Sequence, residues 1–498
     1  MTFAHFLRLL RIAGVVLLIL FCGVLVLLVI RWPFTRSSTI QSFQHLLRSD
    51  VSFGEFHQCF WPEPGYDATN LTITRGSGKP LATVQAISTR SSWIAMLSIT
   101  HRIKRSQLKG VRVDLPAHVP PPSEPAAHEL IKTTATELRA DGAILSIARP
   151  ARSLKFTFSR LVLRNIASNK AILFDVALAT SWPAAKIRAQ GAFGPMRNPT
   201  QNTKASGSFA LETLNLSQYR VVAGDISSVG SFRGTLRNLN VKGKANITQF
   251  QITDTGHSED ISSQFNTNVN GVNGDVDLLN VTFSFLHTAL LGAGRIRPAE
   301  ARPGKTVSLD VHSRQAQVND LLYMFTHSPR PAMTGPITVH CHVVLPPGNL
   351  RFLRRVQLNG EFRIDKGLFT NSATEGKITK LSERSQGRHH PGDLQAVDAE
   401  ISSDVDLKDG VARLSNALFA VPDATVSMNG TYNLINDAID LKGKLAMKAS
   451  LSSAAGGFKS MLLLPLDPLY KKGDAGTVLP IQITGVYPNP KIHVSLKP

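Results

Sequence analysis

Few residues in this chain have the type and spacing that chemistry needs. His340 and His342 sit two apart, so on an extended strand they share a face and would need a third ligand to hold a metal. Cys341 between them points the other way, into an apolar row, and solvent-facing imidazoles are the plainer reading of the pair. His389 and His390 fall in the polar stretch 375–393, which reads as an exposed loop. Gly76-Ser77-Gly78-Lys79-Pro80 has the glycines and lysine of a phosphate loop. The first glycine of that signature is missing, however, and Pro80 stands where Ser or Thr would be required, so the segment reads as a turn. No G-x-S-x-G elbow and no H-E-x-x-H helix occurs. An enzyme is not expected, nor a metal or a cofactor.

Composition narrows the remaining classes. Three cysteines are too few for a disulfide scaffold: Cys22 lies inside an apolar run, and Cys59 and Cys341 pair only if the fold brings them together. Hydrophobic residues at 43% exclude global disorder, and only 18% are charged, which leaves Ser, Thr, Asn and Gly to cover the surface and favours strands and turns. The 55 Lys and Arg against 35 Asp and Glu give a net charge of +20, which favours a polyanionic neighbour. Those cations are spread along the whole chain with no recognition helix, stacking aromatic run or zinc knuckle among them. Nucleic acid is therefore not expected as a partner, and an anionic lipid surface is.

A membrane segment supports that choice. From Ile12 through Leu20 to Ile30 the chain runs 19 residues without a charge. At about 1.5 Å per residue the run is roughly 28 Å long, close to the hydrocarbon thickness of a bilayer. Arg8 and Arg11 precede it, and Arg31, Trp32 and Arg36 follow, placing cations and an aromatic ring at the two interfaces. A cleaved signal peptide would carry a shorter apolar region ending in small residues, whereas here Arg31-Trp32-Pro33-Phe34 follows. Residues 1–11 read as a short tail, 12–30 as a retained transmembrane helix, and everything after residue 31 as translocated.

Beyond the anchor the dominant signal is period-two alternation. Over 439–451, Ile439, Leu441, Gly443, Leu445, Met447 and Leu451 alternate with Asp440, Lys442, Lys444, Lys448 and Ser450, which predicts one strand with a greasy face and a wet one. The same pattern recurs at Leu239–Ile247, Ile337–Leu345, Leu358–Ile364 and Val426–Leu434. Asp141-Gly142, Asn270-Gly271, Asn273-Gly274 and Asp409-Gly410 read as tight turns between antiparallel neighbours. Helices are expected only over 127–139, 319–325 and 458–472, with a Pro-rich hinge at 116–125. The fold class is mainly β: a transmembrane helix, then an elongated, twisted antiparallel sheet curled into a groove, with a few short helices. A continuous greasy face needs something to cover it, and the row Ile439, Leu441, Leu445, Met447 and Leu451 is the candidate lipid-facing surface.

Val421 to Pro498 adds a resemblance. Its distinctive pieces are Gly430-Thr431-Tyr432, the Lys-rich strand that follows, Phe458-Lys459, Asp467-Pro468, and Gly476-Thr477-Val478-Leu479-Pro480. Nearer the start, Gly65–Ile73, Pro80–Val84 and Ile103–Leu115 look like the opening unit of the same family. In these segments the chain resembles the AsmA-like proteins of bacterial envelopes, a family related in shape to bridge-like lipid transfer proteins. The resemblance implies a single-pass protein of the bacterial inner membrane, its bulk periplasmic, whose β-groove carries phospholipid acyl chains toward the outer membrane. It also implies an N-terminal groove unit at 31–150, a middle groove region at 151–350 and an AsmA-like C-terminal region at 351–498. The alternative is a scaffold or assembly factor for outer-membrane or other envelope proteins, binding them by strand addition at a sheet edge.

Overall fold

The computed structural model describes residues 32–47, 49–74, 80–97, 103–115, 135–148, 153–166, 170–197, 199–219, 221–253, 257–300, 303–326, 330–385, 397–448, 477–487 and 489–494. This portion is mainly β, a twisted mixed sheet with few helices. It divides into two compact units, residues 1–212 with 231–237 and residues 213–230 with 238–498. Among the described residues no helix is long and apolar enough to cross a membrane. The expected span at 12–30, and Arg31 with it, lies outside them.

In the first unit, helix α1 (Arg36–Leu47) starts at Thr35, whose hydroxyl accepts the Ser38 N–H at 3.2 Å and so satisfies one of the free donors of the first turn. Strands β1 (Asp50–Ser52) and β2 (Phe56–Cys59) pair along opposite halves of β3 (Gly65–Thr74), which pairs with β4 (Ala82–Ser91). Helix α2 (Trp93–Leu97) follows. Next come β5 (Ile103–Lys109) and β6 (Arg112–Leu115), then β7 (Ala135–Arg139) and β8 (Ala143–Ile147). A meander of β9 (Leu154–Ile166), β10 (Ile172–Ser181) and β11 (Ala184–Phe193) continues the order. The chain passes between the units within β12 (Lys204–Asn215) and β13 (Val222–Thr235). Phe34, Phe53, Tyr66, Leu71, Val84 and Ile87 centre the N-terminal core.

The second unit adds one antiparallel neighbour after another. Its strands are β14 (Asn238–Ile252), β15 (Ser258–Val269), β16 (Val276–Phe285), β17 (Thr288–Pro298), β18 (Lys305–Gln315), β19 (Met333–Thr334), β20 (Ile337–Leu345) and β21 (Gln357–Phe369). They continue as β22 (Ala399–Lys408), β23 (Val411–Val421), β24 (Ala424–Asn433), β25 (Ala438–Met447), β26 (Thr477–Val486) and β27 (Lys491–Val494). Helices α3 (Val318–Phe325), α4 (Phe352–Arg355) and α5 (Ser372–Ser385) interrupt the meander. Asp409 and Gly410 form the two-residue β22–β23 turn with φ of 53° and 79°, the left-handed pair that a type I′ turn needs and Asp-Gly favours. At the β15–β16 turn, Asn270 and Asp275 close the loop through an N–H to carbonyl bond of 2.8 Å.

Several expectations are corrected. The sheet is not antiparallel throughout: β7 runs parallel to β5, and β8 parallel to β6. Segment 116–134 between them is long enough for the crossover that parallel strands require. Asp141-Gly142 joins no hairpin, because β7 and β8 lie end to end along β9. Of the expected helix 127–139, the part Ala135–Arg139 is strand, since pairing on both sides, to β5 and β9, outweighs a weak helical pattern. The expected loop 375–393 is helix as far as Ser385: Ile378 and Leu381, three apart, turn inward against the core. His389 and His390 lie outside the described residues, as does 458–472 with Phe458, Lys459, Asp467 and Pro468; so does Gly476. The strand expected over 439–451 ends at Met447, and Leu451 is again outside.

Candidate functional site

Among the described residues, those with chemical potential do not assemble. His340 and His342 share the exposed face of β20, as expected, but His342 is already engaged by Asp310 at 2.7 Å and Ser308 at 3.2 Å on the neighbouring strand. Cys341 is buried opposite Gly360, and burial, with Asp310 adding to it, pushes its thiol up to about 11. Such a thiol is a poor nucleophile. Cys59 and Cys341 are both free. Among the described residues no group of three or more His, Cys, Asp or Glu side chains is placed to hold a metal ion. The phosphate-loop-like segment lies outside them except for Pro80. In the first unit a cleft over β9–β12 holds Arg160, Asp175, Arg188 and Glu212, but these charges satisfy one another, Arg160 with Asp175 and Arg188 with Glu212, each at 2.6 Å.

The apolar face is a different matter, because cross-strand register joins single strands into rows. One row runs Ile337, Ile364, Ile401, Phe419, Val426, Leu445 and Leu479 over seven adjacent strands. Helices α3 and α5 lie over it, their Val318, Leu321, Leu322, Ile378 and Leu381 packing into the same cluster. Toward the other ends of the strands, Leu358, Leu407 and Ala412 pack with Phe352 of α4. Each margin of this face therefore carries a helix over part of its length.

Between them runs a second row, of which only Val405 packs into either cluster. It passes through Gly243, Phe265, Val281, Gly292, Val311, Cys341, Gly360, Val405, Leu414, Gly430, Leu441 and Ile483, paired residue to residue across twelve strands. Every member is apolar or glycine. Each step along it leads to a strand later in the chain. Leu414, Leu441 and Ile483 are half-buried and belong to no packed cluster, whereas their neighbours Asp440, Lys442 and Lys444 stand in water on the opposite face.

The glycines have a steric reason. A Cβ on Gly430 would stand 2.0 Å from the Asp440 carbonyl oxygen, and one on Gly360 2.3 Å from that of His340. Neighbouring backbones approach too closely there for any side chain, which is how a sheet bends toward the face that carries the glycines. Large side chains lean over the gaps: Phe265 over Gly243 and Phe283 over Gly292. The first unit repeats the device. Phe174 of β10 lies across from Gly191, Phe232 of β13 stands over Gly207, and the two rings stack at 6.5 Å above the glycines of β11 and β12.

Of the five residues expected to face lipid, Leu445 and Met447 are instead core, under α3 and α5; their strand alternates as predicted, but only one stretch of it is roofed. Ile439 and Leu441 stay half-buried on the same face. Within the motif of the C-terminal segment, Gly430 is the close-approach position described above. Tyr432 donates its hydroxyl to Asp437 at 2.7 Å, and Pro480 sits exposed on β26, opposite Lys444. Trp32, expected at a membrane interface, stacks on Phe60. Sequence reading alone missed the row, whose single available signal was the recurrence of glycine within greasy alternation. No protein-family model, no curated protein and no solved structure matches this chain.

Proposed function

We propose that this chain is a non-enzymatic, membrane-anchored lipid-binding protein that holds phospholipid acyl chains along an apolar β-groove and moves lipid between envelope membranes. The observation that carries the reading is the central row, with its uninterrupted apolar and glycine floor between two margins that carry helices. An acyl chain laid on such a floor leaves water at a gain of about 0.8 kcal/mol per methylene, with no side-chain chemistry required. The charge-free run at 12–30 supplies an anchor, the net charge of +20 suits an anionic lipid surface, and the resemblance to AsmA-like proteins points the same way. That resemblance also favours the bacterial inner membrane, with the bulk of the chain in the periplasm.

Site-specific photocrosslinking tests it in cells expressing the full chain. Benzoylphenylalanine at Leu414, Leu441 or Ile483 should yield phospholipid adducts detectable by mass spectrometry, and at Lys442 or Lys444 it should not. Equal adducts on both faces, or none on the apolar one, would sink the reading.

One observation favours the scaffold alternative. Among the described residues strand β27 pairs only with β26, and all four of its residues are exposed, so it offers an edge for strand addition. A crosslinker at Ile492 that captures an envelope protein, with no lipid adduct at Leu441, would decide for it.

A further inference from the structure

We infer that the first unit carries its own bilayer-seating surface, made by Phe60, Trp61 and Ile94, which dips into the headgroup region beside the anchor. The inference rests on the membrane-anchored reading and adds which face of the unit meets the lipid.

Phe60 is 53% exposed, Trp61 85% and Ile94 82%, the most exposed large apolar side chains among the described residues of the unit. Two come from the β2–β3 loop and one from α2, elements that meet at the same end of β3 and β4, where Gly65 pairs with Arg90. They are held there rather than left loose. Trp32 stacks on Phe60 at 4.8 Å and stands 6.1 Å from Trp93, and the Trp93 indole N–H donates to the Pro62 carbonyl at 3.3 Å, tying helix to loop. Beneath them, Trp32 packs edge-on against Phe34 of the buried N-terminal core. A rigid platform thus presents side chains that water should exclude.

Three features select a bilayer as the occupant. Trp32 belongs to the platform, and the charge-free run of the sequence ends only two residues before it, at Ile30, so a spanning segment would leave the membrane at this spot. Three of the four tryptophans of the chain gather here, a residue enriched at membrane interfaces; Trp61, 85% exposed, is the one that reaches outward, while the Trp32 N–H is buried and that of Trp93 is held by Pro62. Cations outnumber carboxylates beside the β2–β3 loop: Lys104 pairs with Glu63 and Arg90 with Asp67, and Arg105 adds a further positive charge that helps hold the Glu63 carboxyl below its usual range. Such a surplus suits anionic headgroups.

The test uses the full chain reconstituted into phosphatidylethanolamine–phosphatidylglycerol vesicles with brominated acyl chains. The Trp61 emission is taken as the difference between the wild-type protein and W61F, a substitution at a side chain too exposed to disturb the core. It should be quenched by the bromolipid and shielded from aqueous iodide. A tryptophan placed at the neighbouring position, in the W61F/I94W variant, should behave alike. Emission from either position that bromine leaves untouched and iodide quenches fully would overturn the proposal. Lipid adducts at Leu441 are scored separately, so an iodide-exposed Trp61 with those adducts present removes this inference and leaves the groove standing.

Discussion

At the scale of single residues, the glycines of the apolar face decide how closely strands approach. The Cβ of a valine at position 443 would fall 1.9 Å from the Ser427 carbonyl oxygen, with Met428 filling the remaining space. Gly443→Val should therefore cost at least about 1–3 kcal/mol, the range for overpacking, read as a lower urea midpoint. Gly376, in the middle of α5, has nothing within 4 Å of its missing Cβ, so Gly376→Ala should stabilise by about 0.5–1 kcal/mol. The opposite signs of two glycine substitutions separate steric necessity from mere absence of a side chain. Charge gives a second residue-scale expectation. The Arg90 guanidinium, donating at 2.7 Å, holds the Asp67 carboxyl at about 2 against the opposing effect of burial, with Ser88 and Cys59 helping. A carboxylate depressed in the folded state stabilises fully above its unfolded pKa and loses that contribution as pH falls through the folded value. Asp67→Asn should thus cost at most about 1 kcal/mol at neutral pH, given the exposure of the pair, and the difference from wild type should vanish between about pH 4 and pH 2. A difference that persists at pH 2 would assign the effect to packing.

At the scale of elements, the helices on the margins are fixed by polar contacts as much as by packing. Asp320 of α3 is 2% exposed and accepts from the His287 backbone N–H at 2.9 Å, from the Thr288 hydroxyl at 2.8 Å and from the Asn319 side chain at 2.8 Å. Removing the carboxylate strands those buried donors. Asp320→Ala should cost about 2–3 kcal/mol, and amide exchange should rise first in 318–325 if α3 loosens before the sheet does. How legible such elements were follows from their chemistry. Helix α3 reads directly from its apolar spacing. By contrast α5 is hidden, since Ile378 and Leu381 are its main inward apolar contacts in a polar stretch and their meaning depends on the core beneath. Ala135–Arg139 reads as helix because nothing local announces the two strands that flank it. Alternation identified five strands of the second unit, β14, β20, β21, β24 and β25, yet the rows depend on register. Register is set partly by bulges, such as those between Ile364 and Gly367 and between Leu414 and Ala417, and a shift of one residue would turn a whole strand over.

For the molecule as a whole, the central row makes a prediction that static binding does not. Because each step along it leads to a strand later in the chain, Val311, Leu414 and Ile483 stand in order along a single path. A charge placed at Leu414 is tolerated by the fold, since the position is only half-buried and water can reach the carboxylate, but it interrupts the apolar floor. If lipid is loaded at the β14 end of the row and slides toward the C-terminal strands, Leu414→Asp should leave adducts at Val311 intact. It should lower those at Ile483 by roughly tenfold or more, the effect of a barrier of about 1.4 kcal/mol. Lipid that binds locally without moving would leave both positions unchanged. Loss at Val311 with retention at Ile483 would mean that lipid comes from the other side. The same pair of crosslinks, compared in wild type and variant, thus reads occupancy and direction together, and the balance between the two sites identifies the side on which lipid is supplied.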